Sequence, residues 1–195
     1  MSNYKLDLVL DNSGSMRGEP ISALNKGVKL FIDELNTDEV ARWAAELCII
    51  SYGPVKIIQD FASIQSVSFS DLESSGNTPT GKAVAQALEL LEKRKSEYKL
   101  TGIDYYQPWL VLMTDGHPTD GIVRIAKRTS DLADSGKLVV FPIGVGPKAD
   151  LSSLDKFSPR RKALRLKGLK FKELFQWLSK SVSCVSQSTP GNKVD

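Results

Sequence analysis

The sequence predicts a doubly wound α/β fold, a mainly parallel sheet of about six strands with helices on both faces. Three observations predict it. Short runs rich in Leu, Val and Ile alternate with longer segments whose apolar residues recur at helical spacing. One run, Trp109 to Met113 (WLVLM), is apolar throughout, as a strand covered on both faces must be. Two runs end in an aspartate, Asp11 and Asp115, where polar loops are expected at the carboxyl edge of an open sheet.

The elements follow in order. Residues 4–10 (YKLDLVL) read as the first strand, stopping at Asp11. A Ser/Gly-rich turn leads to Pro20, which opens a helix with Ile21, Leu24, Val28, Phe31 and Leu35 on one face. Proline is tolerated in a first helical turn because its missing N–H would have no partner there. Residues 45–52 (AELCIISY) form the second strand, Gly53-Pro54 a turn, and residues 55–62 (VKIIQDFA) the third. So short a connection makes the third strand antiparallel to its predecessor and places it at an edge.

Helical spacing returns from Thr78 to about Lys95, with Ala83, Ala87, Leu88 and Leu91 inward. After the strand at Trp109, residues Ile122, Ile125, Ala126, Thr129 and Leu132 mark the next helix, opened by Thr119 and Asp120 as caps. Residues 137–143 (KLVVFPI) read as a strand ending in Gly144-Val145-Gly146, and residues 163–166 (ALRL) as a short edge strand. The last helix runs from about Lys170 to Val185, burying Phe171, Leu174, Phe175, Leu178 and Val182. Trp43, Trp109 and Trp177 read as core residues.

The chain has 195 residues, 41% apolar and 25% charged, enough for one globular domain with a real core. We expect that domain over residues 1–187 and a flexible tail over residues 188–195 (STPGNKVD). No apolar run approaches the ~20 residues of a membrane span. The first residues, MSNYKLDLVLD, lack the pattern of a secretory signal, so a cytoplasmic protein is expected. Cys48 and Cys184 lie in apolar surroundings and read as two buried thiols, and a single histidine, His117, excludes a multi-histidine zinc site. Charge is uneven: residues 1–135 carry a net −5 and residues 136–195 a net +8.

Three polar loops carry the candidate chemistry: Asp11-Asn12-Ser13-Gly14-Ser15, Gly76-Asn77-Thr78-Pro79-Thr80-Gly81 and Thr114-Asp115-Gly116. They offer two carboxylates and several hydroxyls at one sheet edge. Oxygen-only donors suit a hard divalent cation. Two carboxylates are too few for a seven-oxygen calcium cage but suit Mg²⁺, which keeps several waters. In a partly extended loop, residues 11, 13 and 15 face one way, and Gly14 permits the curl that joins Ser13 to Ser15.

These motifs, LVLDNSGSM, GNTPTG and VLMTDG in that order, resemble the von Willebrand factor type A domain over residues 4–187. Its metal-ion-dependent adhesion site is written D-x-S-x-S, then a distant Thr, then a distant Asp. These map without substitution onto Asp11, Ser13, Ser15, Thr78 and Asp115. The resemblance implies that Ser13 and Ser15 coordinate Mg²⁺ or Mn²⁺ directly, Thr78 directly or through water, and Asp11 and Asp115 mostly through water. An open coordination position would take an acidic residue of a protein partner, and the domain would do no chemistry of its own. The G-x-T-P-x-G loop, the short chain and the missing signal resemble the bacterial tellurite-resistance branch. In that branch such proteins are associated with stress responses and with protein kinases and phosphatases.

Simpler readings stand beside these. Asp11 could be a turn residue, and Thr78 a helix N-cap. Residues 76–82 (GNTPTGK, Gly76 to Lys82) match part of a phosphate-binding loop, but Ala83 stands where Ser or Thr is needed and no strand precedes it. Lys82 then reads as a solvated helix residue and His117 as polar surface. The basic segment 156–172 could meet nucleic acid but lacks interleaved aromatics. A solvated edge, or a docking face for an acidic protein, is the favoured reading of that segment.

Overall fold

The computed structural model describes residues 4–186. The expected tail at residues 188–195 lies outside the described residues. Among the described residues six strands form one sheet: β1 (Tyr4–Asp11), β2 (Ala45–Tyr52), β3 (Val55–Ser63), β4 (Trp109–Thr114), β5 (Val139–Val145) and β6 (Leu164–Leu166). Their spatial order is β3-β2-β1-β4-β5-β6. Every pairing is parallel except that of β2 with β3, as the short Gly53-Pro54 connection demands.

Among the described residues six α-helices surround the sheet: α1 (Glu19–Thr37), α2 (Ala41–Ala44), α3 (Thr80–Thr101), α4 (Val123–Asp134), α5 (Leu151–Leu154) and α6 (Phe171–Ser186). The alternation of β1 sorts two cores. Leu6, Leu8 and Leu10 pack with Leu24, Val28 and Phe31 of α1 and Phe171, Phe175 and Leu178 of α6. Val9, on the opposite face, packs with Ala83, Ala87 and Leu88 of α3 and Ala126 of α4. Each fully buried leucine contributes roughly 2 kcal/mol. Gly27 lets α6 lie close to α1, since a Cβ there would sit 2.7 Å from the Phe175 ring.

The expected stripes of α1, α3 and α6 face the core, with Ile21 and Leu174 only half-buried. Several expectations need correction. β5 is displaced from residues 137–143 to Val139–Val145: the Lys137 N–H bonds the Leu132 carbonyl, and the ladder starts by pairing Val139 with Trp109. Gly144 belongs to the strand because Leu151 and Ala149 cover it, leaving no room for a side chain. α4 begins at Val123 without help from Thr119 or Asp120. Of the tryptophans only Trp109 is core; Trp43 and Trp177 are 60% and 46% exposed. Trp177 lies on the flank of the α6 stripe, and Trp43 sits in the four-residue α2, where a helical stripe has no length to form. Cys48 is buried and Cys184 exposed, and both are free.

Candidate metal centre

The chain leaves β1 for its neighbours β2 and β3 on one side, then crosses through α3 to β4 on the other. α1, which follows β1, and α4, which follows β4, lie on opposite faces. The loops leaving β1 and β4 therefore diverge, and a crevice opens between the two strand ends. Asp11 and Thr114 are the last residues of those strands.

Asp11 is 1% exposed. Its Oδ1 accepts the Ser13 N–H at 2.8 Å, and its Oδ2 accepts the Thr114 hydroxyl at 2.6 Å. Burial raises its carboxyl above the usual range, Thr114 and Ser13 work against that rise, and the charge of Asp115 adds to it. Asp11 thus splices the two strand ends together with both oxygens engaged, and the simple turn-residue reading does not account for its bond to Thr114.

Ser13 precedes a 3-10 turn, Gly14–Met16, and its side chain makes no capping bond. Its hydroxyl instead lies 3.0 Å from that of Ser15, which donates to Asp115 Oδ1 at 2.7 Å. The tight turn, rather than extended alternation, brings Ser13 and Ser15 together. Gly14 keeps a negative φ; its N–H donates to the Gly76 carbonyl at 3.0 Å, so close approach of the second loop describes its place better than a curl.

Thr78 is 7% exposed and does not cap α3, which starts at Thr80. Its N–H donates to Thr119 Oγ1 at 3.1 Å, and its carbonyl accepts the Thr119 N–H at 2.9 Å. The cap of α3 comes from the third loop: Asp120 accepts the Gly81 N–H at 2.9 Å and the Lys82 N–H at 2.8 Å. A carboxylate there answers the unpaired amides and the positive end of the helix dipole. The same amides are those a phosphate would need, so Asp120 occupies the place of a nucleotide at residues 76–82. Lys82 is exposed, as expected. His117 is exposed as well, 3.0 Å from Asp150. The two serines that follow Asp150 in its turn, Ser152 and Ser153, hold its carboxyl well below the usual range, with His117 a smaller contributor.

The three loops are therefore cross-linked pairwise: Gly14 to Gly76, Thr78 to Thr119, and Ser15 to Asp115. Thr114, Thr119 and Asp120 were not singled out as site residues by sequence reasoning. The threonines carry no distinctive local signal, and Asp120 resembles a cap for its own helix. Gly53, read only as a turn, is a fourth. A Cβ on it would lie 2.5 Å from the Ser75 carbonyl and 2.7 Å from the Ser13 nitrogen, so only glycine lets the β2–β3 turn support the first loop.

Among the described residues, no three His, Cys, Asp or Glu side chains are gathered to hold a metal ion. Any cation here would rest on two carboxylates and hydroxyls. The donor set fits a small hard ion: adjacent ligands of an octahedral Mg²⁺ are separated by about 2.9 Å, close to the Ser13–Ser15 and Ser15–Asp115 oxygen separations of 3.0 and 2.7 Å. No hydrogen bond among the described residues engages the Thr78 hydroxyl.

The family model for the von Willebrand factor type A domain matches residues 6–173. The chain belongs to this family. Relatives include the human inter-alpha-trypsin inhibitor heavy chain H4, 25% identical over 77% of this chain and 16% of that protein. The mouse heavy chain H2 is 24% identical over 80% of this chain and 17% of its own length. The chain thus spans under a fifth of these relatives. Among solved structures, a von Willebrand factor type A protein from Catenulispora acidiphila superposes with a TM-score of 0.69 at 16% identity, over 93% of this chain and 43% of that one. The open conformation of the pilus adhesin SpaC from Lactobacillus rhamnosus GG gives 0.72 at 14% identity, over 94% and 30%. At such identities the superpositions show the fold alone. Von Willebrand factor type A domains mediate protein–protein interactions, and no described helix here is long and apolar enough to cross a membrane.

Proposed function

We propose that this domain is a divalent-metal-dependent protein-interaction module. Ser13, Ser15 and Asp115 would hold Mg²⁺ or Mn²⁺ with Thr78, and Asp11 would act from behind through its bonds to Ser13 and Thr114. The bound ion would supply an electrophilic position for a carboxylate of a partner protein. The observation that supports this most is the unbroken oxygen chain from Ser13 through Ser15 to Asp115, spanning the strand ends where the sheet order reverses. The domain performs no reaction itself. On the G-x-T-P-x-G loop we assign it to the bacterial tellurite-resistance branch, in the cytoplasm, with a protein kinase or phosphatase as partner.

The test is thermal melting against Mg²⁺ and Mn²⁺. At a hundredfold excess over the dissociation constant, binding adds about 2.7 kcal/mol, which raises the midpoint by roughly 5–10 °C for a domain of this size. Ser13→Ala should remove most of that rise while keeping the metal-free midpoint. A midpoint indifferent to millimolar metal overturns the proposal. For the partner, capture from a bacterial lysate in Mn²⁺ should recover a protein that EDTA and Ser13→Ala both release.

A further inference from the structure

Eight basic side chains stand between Lys156 and Lys172 with no acid among them, and the metal-site reading gives them no task. They flank β6 along the chain, and β6 is the last strand of the sheet, its outer side without a strand partner among the described residues. Three are engaged internally: Arg160 with Asp134, Lys162 with Asp155, and Arg165 with the carbonyls of Gly146 and Ala149. Lys156, Lys167, Lys170 and Lys172 are exposed and join none of the ion pairs among the described residues.

The same edge exposes apolar surface. Leu164 of β6 is 56% exposed and Trp177 of α6 is 46% exposed. Leu166 packs into the α1–α6 core, and alternation puts Leu164 on that face too. Trp177 lies edge-on to Phe141 at 5.7 Å, and the Arg161 guanidinium sits 5.1 Å from the same ring. Phe141 precedes by two residues Ile143, the register partner of Leu164. An open strand, an apolar strip and a positive rim thus occur side by side.

Each feature narrows the occupant. Unpaired backbone groups of an edge strand are used by another polypeptide strand, which a nucleic acid cannot supply. Positive charge repels a second copy of the same edge and any neutral or basic strand gains nothing from it, whereas an acidic strand is attracted. Leu164 and Trp177 call for apolar side chains at alternate positions. We propose that β6 is a docking site for an extended acidic segment of a partner protein, which adds to the sheet as a further strand. Its alternate apolar residues cover Leu164 and Trp177, and its carboxylates are drawn by the surrounding charge of Arg161, Lys167 and Lys170. The metal ion takes no part.

The probe is a fluorescein-labelled peptide alternating Glu and Val, about nine residues long to match a strand, titrated against the intact chain in EDTA and followed by anisotropy. Saturable binding is expected. A peptide of the same charge with proline at every second Val should bind at least about tenfold more weakly, because proline cannot supply the ladder. The double variant R161E/K170E should also lose at least about tenfold, and Leu164→Asp a similar factor, both with unchanged melting. Equal binding of the proline peptide overturns the strand-addition mode. Tighter binding of oligouridylate than of the Glu-Val peptide assigns the edge to nucleic acid and overturns the proposal, as does absence of saturable peptide binding at low salt. All arms contain EDTA, so their outcome is separate from that of the metal titration.

Discussion

Asp7→Asn should reveal a proton held in the centre of the sheet. Asp7 lies in the middle of β1, fully buried, with Cys48 of β2 and Leu110 of β4 as its register partners. Among the described residues neither carboxyl oxygen has a hydrogen-bond partner of good geometry. Burial pushes its carboxyl up to about 8, the Cys48 thiol opposes the rise, and the charge of Asp60 adds to it. The folded protein therefore keeps the Asp7 proton at neutral pH, while the unfolded chain releases it near pH 4. The stabilisation from the neutral carboxyl is complete below the unfolded value and is lost as pH rises towards about 8. Asn matches the shape of the protonated carboxyl and cannot ionise. Any fixed cost of its amide is the same at every pH, so the informative quantity is how the stability gap between variant and wild type changes with pH. At about 1.4 kcal/mol per unit, three units from roughly pH 4.5 to 7.5 move the gap in favour of Asn by about 4 kcal/mol. Urea unfolding of both proteins at several pH values measures it. A gap that stays flat across that range would refute the reasoning, since Asp7 would then ionise alike in folded and unfolded chains.

Three further outcomes follow from the loops and thiols. Asp120→Ala should cost about 1–2 kcal/mol in urea unfolding by exposing the Gly81 and Lys82 amides, and should weaken metal-linked stabilisation by loosening the loop that holds Thr78. Gly53→Ala should destabilise by about 1–3 kcal/mol, because its Cβ would press on Ser75 and Ser13; an unchanged melting midpoint would show that the turn can yield. A colorimetric thiol reagent should label Cys184 at once and Cys48 only after denaturation, since burial pushes the Cys48 thiol up and the Asp7 carboxyl adds to that.

Much of the fold was legible because its signals are local. β2 matched to the residue, since AELCIISY is a compact apolar run closed by a Gly-Pro turn. The stripes of α1, α3 and α6 follow from side-chain period alone. α2 and α5, four residues each, have no period to show. Gly144-Val145-Gly146 read as the end of the strand, yet Leu151 and Ala149 cover Gly144 and keep it within β5. Trp177 misled in the opposite way: large and apolar, it sits at an edge where the sheet ends, and it is 46% exposed among the described residues.

Residue order alone determined the alternation of elements and the three polar loops, because periodicity and turn chemistry act over a few neighbours. Tertiary structure decided which atoms of those loops meet. The Asp11–Thr114 bond joins residues 103 apart, the Ser15–Asp115 bond residues 100 apart, and Asp120 caps the helix of another loop rather than its own. Such pairings depend on strand order and parallel register, which are set by burying both faces of one sheet at once. No stretch of local sequence carries that constraint.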